Sequence, residues 1–115
     1  YGGTIYGDKK LEKEFSSKRL RLYEILKNEG LQPDKGLFKD LDFSKEMDDY
    51  LYHIVGYDRL NFIVSSYNIF ISAYATTSLE EYFANGFEHF FLDDRKNLKN
   101  CCPELYKKIE ELYEP

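Results

Sequence analysis

The strongest constraint on the fold of this chain is a helix start at Ser78 that leads into a broad apolar face. Ser78 and Glu81 have the Ser-x-x-Glu spacing of a capping box, in which the serine bonds the third amide of the helix and the glutamate bonds back. Apolar or small residues then recur at helical spacing: Leu79, Tyr82, Phe83, Gly86, Phe87, Phe90 and Phe91. Glu81, Asn85 and Glu88 lie on another side, so the pattern predicts an amphipathic helix with a wide buried face.

Two earlier segments also carry helical periodicity and helix-end signals. Lys9–Asn28 has an apolar stripe at near-helical spacing, and Gly30 is placed to end that helix in the left-handed conformation. Ser44 is placed to cap a second helix, which ends at Gly56. The residues predicted to face inward from this second helix are Met47, Leu51, Ile54 and Val55.

The remaining segments complete a mainly α prediction. Residues 32–43 contain a proline and a glycine and are typical of a loop. Residues 60–73 suit either a helix or a buried strand, and we favour a helix because nothing nearby supplies a pairing strand. Pro103 suits the first turn of a closing helix, whose inward residues would be Leu105, Ile109 and Leu112.

Composition excludes several function classes. The net charge of −5 argues against nonspecific nucleic-acid binding, which needs clustered lysine and arginine. No apolar run reaches the roughly 18 residues of a membrane span. The adjacent Cys101 and Cys102 predict reduced thiols, because a bond between neighbouring cysteines is strained. The length predicts one domain or a piece of one over residues 1–115.

Several residues that resemble metal ligands have simpler interpretations. His53 and His89 are far apart, and neither has a second histidine four residues later, so we do not assign them to a metal. Glu46, Asp48 and Asp49 lack the alternating oxygen spacing and central glycine of a calcium loop, which favours a solvated helix face.

Two blocks of the chain, residues 1–30 and 72–112, carry residue patterns that recur together in a known enzyme family. In the later block, Tyr74 is followed after six residues by Glu81, and two aromatics, an alanine and a small residue come next. The earlier block, residues 1–30, has a Tyr/Gly turn that leads into a helix with a Lys-Asn-Glu-Gly end. In these two blocks the chain resembles anthrax lethal factor-like zinc metallopeptidases and the clostridial Pro-Pro endopeptidases. Residues 31–71 have no counterpart in that family and are interpreted as an insertion.

The resemblance implies a helical C-terminal subdomain of a zincin-like metallopeptidase. In that family two histidines of a His-Glu-x-x-His helix and a later glutamate hold zinc, the motif glutamate is the general base, and a tyrosine donates to the oxyanion. By this resemblance Glu81 is the zinc ligand and Tyr74 the oxyanion donor, with Glu80 the alternative ligand if the register differs by one. Nothing in the chain matches the two histidines or the base.

We therefore expect the C-terminal part of a peptidase acting on a peptide or protein, with the His-Glu-x-x-His helix upstream of Tyr1. Zinc belongs to the intact parent enzyme, and this chain by itself is expected neither to hold it stably nor to be active. An isolated fragment would expose the face that the missing helix covers, which makes a homo-oligomer an option for it. The resemblance also implies a secreted bacterial protein.

Two other interpretations remain open at the level of sequence. One is a non-catalytic, toxin-type protein-binding domain of the same fold that has lost its zinc site. The other is a small acidic helical interaction module with an exposed aromatic patch. In either, Glu81 is a first-turn carboxylate favoured by the helix dipole, and Tyr74 is a packing residue.

Overall fold

The computed structural model describes residue 5, residues 7–92 and residues 95–113, and no β-strand occurs among them. The mainly α prediction is therefore confirmed, whereas the Tyr/Gly turn at residues 1–3 lies outside the described residues. The α-helices are α1 (Lys9–Asn28), α2 (Lys45–Asp49), α3 (Tyr57–Ser66), α4 (Leu79–Leu92), α5 (Arg95–Cys101) and α6 (Pro103–Tyr113). A π-helix (Tyr50–Val55) continues α2, and 3₁₀ turns lie at Leu37–Lys39 and Ala73–Thr76.

Helix α1 has the bounds and the ending that its sequence predicts. The Asp8 side chain caps its start by accepting a hydrogen bond from the Leu11 amide at 3.2 Å. Gly30 has φ +91° and its amide donates to Lys27, while the amide of Leu31 donates to the Leu26 carbonyl. These two bonds form a Schellman motif, which is why the helix ends here.

The second helix begins as predicted but is wound differently. Ser44 Oγ accepts a hydrogen bond from the Met47 amide at 2.9 Å, and Met47, Leu51 and Val55 are buried. Ile54 is instead 60% exposed, so its predicted inward position is wrong. Tyr50–Val55 is a π-helix, which has about 4.4 residues per turn. Val55, four residues after Leu51, therefore stays on the buried side with it, whereas Ile54 points to solvent.

The ambiguous segment 60–73 is helical only in its first half. Gly56, at φ +88°, separates the π-helix from α3, which ends at Ser66. Asn68 then takes the left-handed conformation at φ +52°, which asparagine tolerates better than most residues. The chain continues through the buried Ile69 and Phe70, so the apolar content interpreted as more helix belongs to a buried connection.

Helix α4 lies against the 3₁₀ turn Ala73–Thr76 and against α1, α5 and α6. Its buried residues are Leu79, Tyr82, Phe83, Gly86 and Phe90. Phe91 is 49% exposed and Leu112 of α6 is 37% exposed, less buried than predicted, because both lie near the ends of their helices. Among the described helices, none combines the length and apolar character needed to cross a membrane.

The corner between α5 and α6 is held by two charged residues of α1. Glu14 accepts hydrogen bonds from the amides of Glu104 at 2.7 Å and Leu105 at 3.1 Å, at the positive end of α6. One helical turn further along α1, the Lys18 ammonium donates to the Cys101 carbonyl at 2.6 Å, at the negative end of α5. Each of these side chains therefore has a charge opposite in sign to the partial charge of the helix end that it contacts.

Candidate functional site

Glu81 lies in the first turn of α4, where the predicted serine cap is present. Ser78 Oγ accepts a hydrogen bond from the Glu81 amide at 3.1 Å, and the Ser78 carbonyl accepts one from the Tyr82 amide at 2.9 Å. The amide of Leu79 donates to the Leu41 carbonyl at 2.8 Å, which fixes the start of α4 to the loop before α2. The Glu81 side chain is exposed, so its carboxylate is accessible to a ligand.

Tyr74 lies in the 3₁₀ turn just before α4, and its side chain is 61% exposed. Its carbonyl accepts hydrogen bonds from the amide and the hydroxyl of Thr77, at 3.3 and 3.0 Å. The start of the turn is fixed by the Ala73 amide, which donates to Asn61 Oδ1 of α3 at 2.7 Å. The backbone that carries the Tyr74 phenol is therefore anchored at both ends.

Residues 73–83 show a sharp division between buried and exposed side chains. Tyr74, Glu80 and Glu81 are exposed, and the other eight residues of this segment are buried. Three of the buried ones are the hydroxyl residues Thr76, Thr77 and Ser78, a run that would ordinarily be solvated in a loop. The two predicted site residues are thus presented by one buried frame, although no hydrogen bond joins their side chains in the described structure.

A buried arginine of α1 supports this frame. Arg19 is 1% exposed and donates to the Thr77 carbonyl at 3.5 Å and to the Leu37 carbonyl at 3.0 Å. Its guanidinium also lies over the rings of Phe15 and Phe38, 5.1 and 5.8 Å from their centroids. Burial lowers the pKa of Arg19 to about 10, with Asp40 opposing the shift.

Within the described part of the chain, no group of three histidine, cysteine, aspartate or glutamate side chains could hold a metal ion. His53 is exposed on the π-helix, where its ring contacts Tyr52 at 5.0 Å. His89 is half-buried on α4. A zinc site at Glu81 would therefore need nitrogen ligands from elsewhere, and an exposed carboxylate is a suitable single contribution to it.

Sequence reasoning missed the aromatic neighbour of Tyr74. The ring of Tyr57, at the start of α3, lies 5.3 Å from that of Tyr74, and its hydroxyl donates to Asp48 Oδ1 at 3.2 Å. Asp48 was predicted only as part of a solvated helix face. No local pattern could have indicated this contact, because Tyr57 follows Gly56 in what the sequence presents as a helix break.

The adjacent cysteines are free, buried and close to the α5–α6 corner. A hydrogen bond with Cys102, together with the nearby Lys18 ammonium, lowers the pKa of Cys101 to about 7. The same thiol–thiol bond and burial raise the pKa of Cys102. Because both side chains are almost inaccessible, we assign them to the interior of the fold and not to the site at Glu81.

Comparisons of the chain with protein-family models, with curated proteins and with solved structures returned no match. The interpretation of the site therefore depends on the residues themselves, on their exposure and on the frame that carries them.

Proposed function

We propose that this chain is the C-terminal part of a zinc metallopeptidase, in which Glu81 is a metal ligand and Tyr74 stabilises the oxyanion of peptide-bond hydrolysis. The observation that carries the proposal is the division of residues 73–83 into a buried frame and three exposed side chains, two of which are Tyr74 and Glu81. A frame of this kind limits the backbone motion of both groups, as a catalytic constellation requires.

The two residues have distinct roles in this proposal. Zinc, when bound, supplies Lewis-acid activation of a water and of the scissile carbonyl. Glu81 contributes a negatively charged oxygen ligand from the first turn of α4, and its backbone is fixed by Ser78. The Tyr74 phenol donates a hydrogen bond to the oxygen on which negative charge develops, and loss of such a donor often costs about 10²–10³ in rate.

Two histidine ligands and a general base must come from a His-Glu-x-x-His helix of the parent protein. Each would have to approach the exposed side of the segment that carries Tyr74 and Glu81. The chain taken by itself is then expected to bind zinc weakly and to lack peptidase activity, because one carboxylate does not make a catalytic site.

A non-catalytic protein-binding domain is the second candidate. Its support is the exposed aromatic surface in which Tyr57 contacts both Tyr52 and Tyr74, whose side chains are 55% and 61% exposed. Exposed apolar side chains that lie together are typical of partner surfaces. This alternative predicts that substitution of Glu81 leaves the function of the parent protein unchanged.

The decisive experiment begins with the parent reading frame. We expect a His-Glu-x-x-His motif on an apolar helical pattern within roughly ten residues upstream of Tyr1. The parent protein should then cleave a member of a peptide library, and chelation of zinc should abolish the cleavage. Tyr74→Phe should lower kcat by about 10²–10³ with its zinc content intact.

A parent protein with a start codon in that place, or with an upstream helix that has neither histidine, would contradict the proposal. So would peptide cleavage that survives both chelation and the Glu81→Gln substitution. In those cases the protein-binding interpretation takes its place.

A further inference from the structure

Tyr74 ends a row of aromatic side chains that comes from the insertion. The Tyr57 ring lies 5.3 Å from the Tyr74 ring at an interplanar angle of 37°, and Tyr52 lies 5.1 Å from Tyr57 at 85°. His53 continues the row, 5.0 Å from Tyr52. Three elements thus meet at Tyr57: the π-helix through Tyr52, the start of α3, and the 3₁₀ turn through Tyr74.

We propose that Tyr57, oriented by its hydrogen bond to Asp48, is the positioning residue that fixes the phenol of Tyr74. This inference rests on the proposed function, because it assigns a catalytic consequence to the position of Tyr74. It also gives a role to residues 31–71, the part of the chain that the family resemblance leaves unmatched: they supply both Tyr57 and Asp48.

Tyr57 is itself well fixed. It opens α3 directly after Gly56, whose φ of +88° sets the angle between the π-helix and α3. Its hydroxyl donates to Asp48 Oδ1 at 3.2 Å, so the ring is held at both of its ends. Partial burial and the Asp48 carboxylate raise the pKa of Tyr57 to about 12, which keeps this hydroxyl protonated at neutral pH.

Tyr74 needs such support because its backbone is fixed by hydrogen bonds, whereas its side chain is largely exposed. The carbonyl of Tyr74 and the neighbouring Ala73 amide are hydrogen-bonded, but the side chain is 61% exposed. The ring contact that restricts it is the one with Tyr57. An oxyanion donor must lie within a few tenths of an ångström of its place, and a misplacement of about 1 Å can cost 10²-fold in rate.

The test is a double-mutant cycle in the parent protein, with Tyr57→Leu and Tyr74→Phe. Tyr57→Leu should lower kcat by about 10- to 100-fold, with KM within about twofold and zinc content unchanged. In the Tyr74→Phe background the same substitution should change kcat by less than about twofold, because it acts through the Tyr74 hydroxyl. Tyr67→Leu, the same change at the other end of α3, is the matched control and should leave kcat unaltered.

Conservative variants separate positioning from folding. Tyr57→Phe keeps the ring but loses the hydrogen bond to Asp48, so it should recover only part of the kcat lost in Tyr57→Leu. A loss of kcat that is equally large in the presence and the absence of the Tyr74 hydroxyl would overturn the inference, since that result indicates a general effect on folding. An unaltered kcat in Tyr57→Leu would overturn it as well.

A second measurement tests the positioning role of Tyr57 independently of the proposed function. In protein labelled with 3-fluorotyrosine, the ¹⁹F resonance of Tyr74 is assigned by its loss in Tyr74→Phe. Tyr57→Leu should shift and narrow that resonance, because the ring then moves freely, whereas Tyr67→Leu should not. If the parent protein has no zinc or peptidase activity, the proposed function fails. If the Tyr74 resonance is unaffected by Tyr57→Leu, the positioning role fails.

Discussion

The side chain of Glu14 joins three helices. Its carboxylate accepts hydrogen bonds from two amides at the start of α6 and from the hydroxyl of Tyr82 on α4. Hydrogen bonds to a charged acceptor are stronger than neutral ones, and the α6 dipole adds to them. Glu14 therefore links α1, α4 and α6 at one point.

Glu14→Ala should lower the free energy of unfolding by about 2–3 kcal/mol, because it leaves two helix amides and a buried tyrosine hydroxyl without their acceptor. Glu14→Gln keeps one acceptor oxygen and should cost roughly half as much. Glu24→Ala, an exposed glutamate of the same helix, is the control and should lie within about 0.5 kcal/mol of wild type. Urea unfolding followed by circular dichroism measures all three, and equal stabilities for Glu14→Ala and Glu24→Ala would contradict the linking role.

Tyr57 makes a prediction about alkaline pH. Its pKa is raised to about 12 in the folded protein, above the ordinary value near 10, so the folded state holds this proton more tightly than the unfolded state. Its contribution to stability is complete below pH 10 and is lost as pH rises through 12. Tyrosinate absorbance of wild type minus that of Tyr57→Phe should therefore titrate near pH 12. A difference that titrates near pH 10 would show that Tyr57 is neither partly buried nor next to the Asp48 carboxylate in solution.

At the scale of elements, the local signals in the sequence determined where helices begin and end. Asp8, Ser44 and Ser78 cap their helices with side-chain hydrogen bonds, and Gly30 ends α1 in the left-handed conformation. These interactions involve residues three to five positions apart, so they can be predicted from the chain alone.

The type of helix, α or π, was not predictable in the same way. The residues from Met47 to Val55 have α-helical apolar spacing, yet the second half of the segment is a π-helix. The π-helix keeps Leu51 and Val55 buried and leaves Ile54 in solvent. Nothing in the local sequence distinguishes the two windings, because both place a buried residue at Leu51.

Substitution of Ile54 distinguishes these windings experimentally. Ile54→Ala should change the free energy of unfolding by less than about 0.5 kcal/mol, since the side chain is already in solvent. Leu51→Ala, which removes a fully buried side chain, should cost about 2–5 kcal/mol. If thermal or urea unfolding gave Ile54→Ala a cost comparable with that of Leu51→Ala, the segment would be α-helical in solution.

Gly86 determines how closely α4 and α6 approach each other. A methyl group added there would overlap the buried Leu105 side chain. Overpacking costs about 1–3 kcal/mol, while alanine favours a helix over glycine by about 1 kcal/mol, so Gly86→Ala should destabilise the protein by up to about 2 kcal/mol.

The matched experiment introduces Gly86→Ala into a Leu105→Ala background. There the added methyl enters space that the leucine has vacated, so the same substitution should become neutral or stabilising. Urea midpoints of the four proteins complete the cycle. An equal cost of Gly86→Ala in both backgrounds would exclude close packing against Leu105 as its cause.

At the scale of the whole molecule, the side chains of α1 make contacts that span long stretches of sequence. Arg19 bonds Thr77 across 58 positions, Lys18 bonds Cys101 across 83, and Glu14 bonds the Glu104 amide across 90. Sequence patterns predicted the helices, and the family resemblance indicated the candidate pair Tyr74 and Glu81. They did not predict that polar residues of α1 hold the frame, because such pairings depend on how distant elements pack.

The same reasoning explains why the sequence indicated Tyr74 as a candidate but not Tyr57. Tyr74 was singled out by the family resemblance of the short segment that also contains Glu81, whereas Tyr57 lies in residues 31–71, which the resemblance leaves unmatched. Tyr57 contacts Tyr74 because α3 packs beside the 3₁₀ turn in the folded protein. The contact between Tyr57 and Tyr74 therefore joins two parts of the chain, and the sequence indicated only one of them as part of a candidate site.

The most direct measurement of the central claim is the zinc content of the parent protein and of two single-residue variants. Glu80 and Glu81 are adjacent and both exposed, so Glu80→Gln controls for the loss of one surface charge in the same helical turn. We expect about one zinc per chain in wild type and in Glu80→Gln. In Glu81→Gln we expect zinc affinity to fall by more than the roughly 10- to 100-fold that results from changing a residue that only hydrogen-bonds to a metal ligand. Zinc retained equally by both variants, or absent from wild type, would contradict the assignment of Glu81 as a metal ligand.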